Sequence, residues 1–448
     1  MIQILGIAGT FMAGIASLAK EAGMKVSGCD ANIYPPMSTL LDALDIGVQQ
    51  GYVPTTIPAE VTEFVIGNAM SRGNPMVEHV LEHSLSYTSG PQWLCDNILK
   101  GRETYAIAGT HGKTSTSSML AWLLQCGNLD PGFLIGGKPG NFDRSAQLGK
   151  GKAFVVEADE YDTAFFDKRS KFLHYRPTVA VLNNLEFDHA DIFDDLDAIK
   201  KQFHHLIRTV PGNGRLIVNA DDSHLEETLA MGSWTPIITF STTKANSDWF
   251  AQATENDASS FIIYKHQTLF CEVSWNCFGE HNMSNAIAAV AAAHHAGVNA
   301  KTVQLALSTF VLPAKRLQTH ATKRGFTLYE DFAHHPTAIA KTLETLRKKH
   351  PNQKLVAVLE PRSNTMRTSV HAQTLPQALA LASSVYYLES GDLGWSLANE
   401  TDQSPTYAFS TVKQGLAELE SNISSTDIVV VMSNGDFGGL VSALTNID

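Results

Sequence analysis

The stretch GTHGKT, from Gly109 to Thr114, carries the clearest chemistry in the sequence. A glycine turn of this kind exposes backbone N–H groups to phosphate oxygens, Lys113 can reach the β- and γ-phosphates of a nucleotide, and the Thr114 hydroxyl can bind Mg²⁺. The generic phosphate-binding loop has a further glycine where this chain has Ile107. Only the second half of the generic pattern is present, so a chance glycine turn ahead of a helix is the alternative.

Two further stretches offer metal ligands. Residues 153–162, AFVVEADEYD, read as an apolar strand that ends in Glu157, and a carboxylate at the end of a strand beside a phosphate loop suits Mg²⁺. Three acids follow and are interpreted as a solvated loop: Asp159, Glu160 and Asp162. A second strand end, AVLNNLEFDHADIF, supplies Asp188 and His189. His189 is either a structural histidine or the second metal ligand that a two-cation phosphoryl-transfer site would need.

The N-terminal turn, Gly6 to Gly14, resembles a dinucleotide-binding fingerprint only in part, because position 8 is alanine and the third glycine comes late. Asp30 follows the second predicted strand, where a ribose or base contact would lie. The pattern favours a phosphate-bearing nucleotide and disfavours a nicotinamide-dependent oxidoreductase. A second loop of small and polar residues, 67–75, either serves the same ligand or is a simple turn.

The stretch GEHNMSNA, Gly279–Ala286, opens a predicted helix with two amide side chains. Asn282 and Asn285 share one helical face and can contact a purine edge. Ordinary helix capping is the alternative, and without further context it is the interpretation that we favour.

The last third of the chain has polar loops after its predicted strands. Their residues are Arg316 in PAKRLQ, Asp331, His334 and His335 in YEDFAHHPTA, Arg362, Asn364 and Arg367 in EPRSNTMR, and the stretch SNGDFGG at 433–439. Because the carboxyl ends of parallel strands meet at one edge of a sheet, these loops predict a single binding edge.

Strand–helix alternation occurs in three successive segments and predicts how these loops are positioned. We expect an α/β protein with a Rossmann-like N-terminal domain, a central P-loop-type ATPase domain and a Rossmann-like C-terminal domain. The expected limits are residues 1–103, 104–312 and 313–448.

Composition bounds the possible functions. The chain has 448 residues, 44% of them hydrophobic, and a formal net charge of −12, so no broad basic face for nucleic acid is expected. No apolar run approaches the ~20 residues of a membrane span. The N-terminus lacks the basic flank of a secretory signal, so a cytoplasmic protein without membrane insertion is expected. Five cysteines without a CxxC pair are expected to be reduced thiols, mostly buried.

Taken in order, GIAGTFMAGIA, GTHGKT, EADE, NNLEFDH, GEHNMSN, a lone arginine and DFAHHP resemble the Mur ligase family, the ATP-dependent amide-forming enzymes of peptidoglycan synthesis. The match covers nearly the whole chain. The passages YTSGPQWL, EADEYDTAFFDKRSKFLHYRP, EPRSNTM and MSNGDFGG resemble the branch that attaches a tripeptide in peptidoglycan recycling. The resemblance implies that UDP-N-acetylmuramic acid is joined, through an acyl phosphate, to L-Ala-γ-D-Glu-meso-diaminopimelate, with ATP and Mg²⁺ required.

The resemblance also implies roles for particular residues. ATP would be bound by Gly109, Thr110, His111, Gly112, Lys113, Thr114, Asn282, Asn285, Arg316, Asp331 and His335. Catalysis would involve Lys113, Glu157, His189 and Arg316, and Mg²⁺ would be held by Thr114, Glu157 and His189. The UDP-sugar would be bound in the first domain by Gly6, Gly9, Thr10, Asp30, Asn68 and Ser71, and the peptide in the third by Arg362, Asn364 and Arg367.

Three alternatives remain, one of them the nicotinamide-dependent oxidoreductase that the irregular N-terminal glycine turn disfavours. A ligase that adds single L-alanine is disfavoured by EPRSNTM and SNGDFGG, and a P-loop switch or transport ATPase by the absence of LSGGQ and NKxD motifs. Several Mur ligases carry a carbamylated lysine near the second metal. Here neither Lys200 nor Lys201 falls clearly at that position, which Phe203 could occupy, so no carbamate is predicted. The oligomeric state is not predicted.

Overall fold

The structure is a computed structural model that describes residues 1–35, 37–367, 369–371, 373–389, 391, 393, 395–397 and 404–447, with the side chains of Asn364 and Ser369 left out. Within these residues the chain forms three successive α/β units, each built on a largely parallel sheet. The predicted fold class is confirmed. The limits at 103/104 and 312/313 stay a prediction.

The first unit has an entirely parallel sheet with the strand order β3-β2-β1-β4-β5. Its strands are β1 Ile2–Leu5, β2 Val26–Asp30, β3 Gly47–Gln50, β4 Glu63–Ile66 and β5 Tyr87–Ser89. Its helices are α1 Thr10–Glu21, α2 Met37–Ala43, α3 Pro75–Glu82 and α4 Gly90–Leu94, with a 3₁₀ turn at Pro54–Thr56 and a π-helical turn at Cys95–Leu99. β1 is buried along its whole length, as its sequence IQIL predicts.

The central unit has the strand order β17-β16-β15-β14-β13-β12-β6-β9-β7-β8. Its strands are β6 Glu103–Ala108, β7 Gly132–Leu134, β8 Ala146–Gln147, β9 Ala153–Ala158, β10 Asp162–Ala164, β11 Asp167–Ser170, β12 Val179–Leu182, β13 Arg215–Asn219, β14 Ile237–Ser241, β15 Trp249–Ala253, β16 Ser260–Lys265 and β17 Thr268–Ser274. Its helices are α5 Lys113–Cys126, α6 Phe172–Tyr175, α7 Leu196–Thr209, α8 Ser223–Ala230, α9 Glu280–His295 and α10 Ala300–Ser308. β10 and β11 form a separate antiparallel hairpin.

The third unit has the strand order β18-β19-β23-β20-β21-β22, in which only the β18–β19 pair is antiparallel among the described strands. Its strands are β18 Gln318–His320, β19 Thr327–Asp331, β20 Leu355–Leu359, β21 Ser384–Leu388, β22 Thr406–Phe409 and β23 Ile428–Met432. Its helices are α11 Pro336–Lys349, α12 Asn364–Arg367, α13 Leu375–Ala378, α14 Val412–Asn422 and α15 Leu440–Thr445, with 3₁₀ turns at Ser369–His371 and Phe437–Gly439.

The first two units share one apolar core. Buried residues of β1 and α1 belong to the same cluster as those of β6, β9 and β12. Gly14 of α1 faces Leu134 and Ala146, and a Cβ atom on Gly14 would collide with the Leu134 side chain. α1 therefore packs closely on the edge of the central sheet, which holds the first unit against the second.

The order of the central strands brings the predicted phosphate and metal loops together. β6 lies between β12 and β9, and all three run parallel. Their carboxyl ends therefore meet at one edge, where β6 leads into GTHGKT, β9 ends beside Glu157 and β12 leads into NNLEFDH. None of the described helices has the length and apolar character of a bilayer span. All five cysteines are free thiols, four of them buried, as predicted.

Candidate active site

The GTHGKT loop lies between β6 and α5, as predicted. Gly109 has φ 148° and Gly112 has φ 81°, values that glycine adopts far more readily than other residues. A Cβ atom on Gly112 would collide with the Asn285 amide from α9. The loop needs glycine at this position for its backbone and for its packing. Because α5 begins directly after it, the positive end of the helix dipole lies at the loop, and this arrangement fits a phosphate group.

The Lys113 ammonium is held within this loop. Its Nζ donates hydrogen bonds to the Gly109 carbonyl at 2.7 Å and to Glu160 Oε2 at 2.9 Å, and Asp159 Oδ1 lies 3.5 Å away. Burial lowers the pKa of Lys113, but the Glu160 and Asp159 carboxylates outweigh this effect and raise the pKa above its ordinary value. Lys113 therefore carries a positive charge that is available to phosphate oxygens once these contacts are exchanged.

Glu160 corrects the sequence analysis. Its side chain is 1% exposed and contacts Lys113 and His189, whose Nε2 lies 3.4 Å from Glu160 Oε1. The interpretation of Glu160 as part of a solvated loop is wrong. The chain that follows β9 passes next to Lys113, and the Glu160 side chain is buried against the lysine. Asp159 is 32% exposed and pairs with Lys171 at 3.3 Å. Asp162 pairs with the exposed Lys168 at 2.6 Å, but its side chain is only 13% exposed and it begins β10, so the solvated-loop interpretation is wrong for this residue as well.

The predicted metal ligands form two neighbouring groups. Thr114 Oγ1 donates to Glu157 Oε1 at 2.9 Å, and the other carboxylate oxygen accepts from Gly136 N at 2.7 Å. A hydroxyl beside a carboxylate is an oxygen set that fits Mg²⁺. His189 lies instead with Asp159 and Glu160, and one ligand atom from each lies within 4.8 Å of the others. Lys113 links the groups because it precedes Thr114 and contacts Glu160.

The two asparagines of α9 have different surroundings. Asn282 is buried and donates to the Phe278 carbonyl at 2.8 Å, within its own chain segment. Asn285 Oδ1 accepts from Thr116 Oγ1 at 3.2 Å and packs against Gly112. Ordinary capping, the interpretation favoured from these residues alone, is wrong because the N-cap of α9 is Gly279. The predicted contact of both amides with adenine stays a prediction.

A second polar cluster joins the phosphate loop to the third unit. Glu186 Oε2 lies 3.5 Å from His111 Nε2 and 3.6 Å from His335 Nδ1, and it accepts from Thr337 Oγ1 at 2.6 Å. The rings of His111 and His335 have centroids 4.8 Å apart. The structure thus brings together two residues that the sequence analysis assigned to one site. Burial raises the pKa of Glu186, but the contacts with His111 and Thr337 outweigh it and lower the pKa to about 2.

The EPRSNTMR loop also reaches the central unit. Thr365 Oγ1 donates to Asp188 Oδ1 at 3.2 Å and accepts from Ala190 N at 3.3 Å. Sequence reasoning missed Glu186 and Thr365 as parts of this interface. The position of NNLEFDH at the end of β12 could have indicated that Glu186 lies at this interface. Nothing in the residue type of Thr365 indicates such a contact.

Asp331 organises the loop that carries Arg316. Its carboxylate accepts from Leu317 N at 2.8 Å, from Ala333 N at 2.9 Å and from Thr342 Oγ1 at 3.2 Å. Burial raises the pKa of Asp331, partly opposed by Arg316. The Arg316 guanidinium lies 4.8 Å from the centroid of the Phe332 ring. In this arrangement Asp331 holds the loop, and its predicted contact with ATP stays a prediction.

The predicted UDP-sugar residues line the exposed ends of β1, β2 and β4. Asp30 Oδ2 accepts from Ala8 N at 3.0 Å, which ties β2 to the first glycine turn. Gly6 has φ 76° in that turn. The others lie on accessible backbone at the same edge: Gly9, Thr10, Asn68 and Ser71. The glycine turn leads directly into α1, so its N-terminus faces the open edge of the sheet.

The predicted peptide residues lie at the corresponding edge of the third sheet. Arg362 packs against Gly435, where a Cβ atom would collide with the guanidinium. Lys315 Nζ donates to the Gly435 carbonyl at 2.7 Å, so the SNGDFGG loop contacts both. Arg367 is exposed at the end of α12. The side chain of Asn364 lies outside the described residues.

Comparison with known families gives matches along most of the chain. Residues 1–100 match the Mur ligase family catalytic domain, residues 107–293 match the Mur ligase middle domain, and residues 315–435 match the Mur ligase glutamate ligase domain. The matches follow the order of the three sheets.

Individual relatives are similar over nearly the full length. The chain is 47% identical over 442 residues to a Haemophilus influenzae protein named UDP-N-acetylmuramate–L-alanyl-γ-D-glutamyl-meso-2,6-diaminoheptandioate ligase, covering 98% of this chain and 97% of that protein. The Escherichia coli protein of the same name is 48% identical over 443 residues, covering 98% and 96%. A crystal structure of a murein peptide ligase from Psychrobacter arcticus superposes with a TM-score of 0.77 at 42% identity, covering 100% and 99% of the two chains.

Proposed function

The chain belongs to the Mur ligase family of ATP-dependent amide-bond-forming ligases, and we propose that it joins UDP-N-acetylmuramic acid to the tripeptide L-Ala-γ-D-Glu-meso-diaminopimelate. The first unit would bind the UDP-sugar, the central unit ATP and Mg²⁺, and the third unit the peptide. A cytoplasmic role in peptidoglycan recycling belongs to the same proposal.

One observation carries the proposal: the EPRSNTMR loop reaches the phosphate site. Thr365 contacts Asp188 at 3.2 Å, and the next residue after Asp188 is His189, a predicted metal ligand. Arg362 lies three residues before Thr365 on the same loop. A guanidinium fork suits a carboxylate such as that of diaminopimelate. A peptide held by this loop would therefore extend toward the site where the carboxylate of the sugar is activated.

The proposed reaction has two steps. A lactyl carboxylate oxygen of the UDP-sugar attacks the γ-phosphorus of ATP, the bond to the β,γ-bridging oxygen breaks, and ADP leaves with that electron pair. The alanine amine of the peptide then attacks the acyl carbon of the resulting acyl phosphate. Inorganic phosphate leaves with its bonding electrons, the amine gives up a proton, and an amide remains. Phosphorylation is needed because a carboxylate oxygen is otherwise a poor leaving group.

Each group of residues in the central site would have a role in this reaction. The backbone N–H groups of Gly109–Thr114 would cradle the phosphates, and Lys113 would exchange its contact with Glu160 for the γ-phosphate. Thr114 and Glu157 would hold one Mg²⁺, and His189 would contribute to a second. When bound, Mg²⁺ neutralises phosphate charge. Arg316, on the loop held by Asp331, would approach ATP from the third unit as the domains close.

Comparison of acceptors tests the proposal. Purified protein is incubated with UDP-N-acetylmuramic acid, ATP and Mg²⁺, and phosphate release is measured with either the tripeptide or free L-alanine. We expect release that depends on the tripeptide and is far weaker with L-alanine. Faster release with L-alanine would instead indicate a UDP-N-acetylmuramate–L-alanine ligase, the alternative within the family.

A further inference from the structure

We propose that His111, Glu186 and His335 form a binding site for a divalent transition-metal ion such as Zn²⁺, separate from the Mg²⁺ ligands of the phosphate site. One ligand atom from each residue lies within 4.8 Å of the other two. Glu186 Oε2 is 3.5 Å from His111 Nε2 and 3.6 Å from His335 Nδ1. Ligands of a tetrahedral Zn²⁺ ion, each about 2.0–2.1 Å from the metal, are about 3.3–3.4 Å apart. The two distances from Glu186 are therefore close to those between the ligands of a bound ion.

The hydrogen bonds of His335 place its ring proton on Nε2 and its lone pair on Nδ1, the nitrogen that faces Glu186. Its Nε2 lies 3.2 Å from the Phe187 carbonyl, which can only accept, so the ring proton belongs on Nε2. Its Nδ1 accepts a long hydrogen bond from Thr337 N at 3.3 Å and also faces the Glu186 carboxylate, so a bound metal would replace that hydrogen bond on Nδ1. Two hydrogen-bond acceptors that face one another repel, and a cation bound between them removes the repulsion. A histidine that donates its other N–H to a backbone carbonyl is the usual arrangement at metal sites.

The other two ligands are similarly prepared. His111 Nε2 is shielded from solvent and makes no hydrogen bond with any residue that the structure describes, although it faces Glu186. The Thr337 hydroxyl donates to Glu186 Oε2 at 2.6 Å and orients the carboxylate. Two imidazoles and one carboxylate favour Zn²⁺ and related ions over Mg²⁺, which prefers oxygen ligands. Three protein ligands leave a fourth position for water or a substrate oxygen.

The site would connect two units of the protein. His111 belongs to the phosphate loop and Glu186 to the loop after β12, whereas His335 lies at the start of α11 in the third unit. A bound ion would therefore hold the third unit against the phosphate loop. We expect Zn²⁺ to raise the thermal unfolding temperature of the protein as well as to bind with one-to-one stoichiometry.

Zinc titration of matched variants tests the proposal. Full-length protein freed of metal by chelation is titrated with Zn²⁺, without nucleotide or Mg²⁺, in competition with a chromophoric chelator. Glu186→Gln keeps the size of the side chain but removes its charge, and it should weaken binding at least about tenfold and abolish the Zn²⁺-dependent rise in unfolding temperature. Glu160→Gln alters the neighbouring cluster of Asp159, Glu160 and His189, and it should leave the affinity within about threefold.

The outcomes separate clearly. The proposal is overturned if the wild-type protein binds no Zn²⁺, or if Glu160→Gln weakens binding as much as Glu186→Gln does. Thr337→Val serves as a second variant in case Glu186→Gln folds poorly, because it removes only the hydroxyl that orients the carboxylate. A loss of about tenfold in Thr337→Val supports the site, and an unchanged affinity contradicts it.

Discussion

Glu160→Gln tests whether the buried acid, rather than the more exposed acid beside it, holds Lys113. Glu160 is 1% exposed and lies 2.9 Å from Lys113 Nζ. A hydrogen bond between charged groups contributes about 1.5–3 kcal/mol, and removing one partner of a buried ion pair costs about 3–5 kcal/mol. Lys113 keeps the Gly109 carbonyl and Asp159 as partners in the variant. We therefore expect the free energy of unfolding to fall by about 2–3 kcal/mol.

Asp159→Asn is the matched control. Asp159 is 32% exposed, lies farther from Lys113, at 3.5 Å, and also pairs with Lys171 at 3.3 Å, so its removal should cost about 1 kcal/mol, less than the removal of Glu160. For a unit of about 150–250 residues, such as the central one, 1 kcal/mol corresponds to a shift of about 2–4 °C in unfolding temperature. Thermal unfolding of the ligand-free protein, followed by circular dichroism at neutral pH, should show a loss of about 4–12 °C for Glu160→Gln and less than about 4 °C for Asp159→Asn.

The pH dependence gives a further check. The charge of Lys113 holds the pKa of Glu160 below its ordinary value despite burial. A depressed pKa means that the stabilising contribution is present above the ordinary value of about 4.3 and is lost as the pH falls. The difference in unfolding temperature between the wild type and Glu160→Gln should therefore become smaller at acidic pH. If Asp159→Asn destabilises the protein as much as Glu160→Gln does, the buried contact is not the main one and this reasoning fails.

Three other predictions concern the same site. Lys113→Ala should slow ATP-dependent phosphate release by at least about 100-fold while calorimetry shows unchanged UDP-sugar binding, and a loss of sugar binding would contradict the proposed division of ligands between units. Gly112→Ala should lower the unfolding temperature more than Gly73→Ala does, since both have φ above 80° but only Gly112 also meets the Asn285 amide; equal losses would show that this packing is unimportant. The difference in unfolding temperature between the wild type and Glu186→Gln should shrink as the pH falls below about 4, because the pKa of Glu186 is lowered to about 2. A difference that grows below about pH 4 would contradict that assignment.

Local patterns in the sequence were enough to predict the elements around the site. The apolar run before GTHGKT and the amphipathic run after it predict a strand and a helix, and the structure has β6 and α5 there. The glycines of the same stretch predict a tight turn before the helix, and the backbone at Gly112 has positive φ there. These features depend on residues close together in the chain, so local sequence suffices to predict them.

Which acid is buried depends on contacts that the local pattern does not contain. Glu157, Asp159, Glu160 and Asp162 lie within six residues of one another, and composition does not separate them. The path of the chain after β9 decides that Glu160 lies beneath Lys113 while Asp162 pairs with a surface lysine. Glu157 does lie beside Thr114, and its role as a Mg²⁺ ligand stays a prediction, whereas the burial of Glu160 was not predicted for this reason.

The sequence by itself determined the three α/β units, the phosphate loop and the types of residue at each strand end, because periodicity and turn chemistry act over a few residues. Only the tertiary structure decided which of those ends meet. Glu186 and Thr337 are hydrogen-bonded at 2.6 Å although 151 residues separate them, and Thr365 reaches Asp188 across 177 residues. Such contacts follow from how the third sheet packs on the central one, and that packing depends on the shapes of whole surfaces rather than on any short pattern.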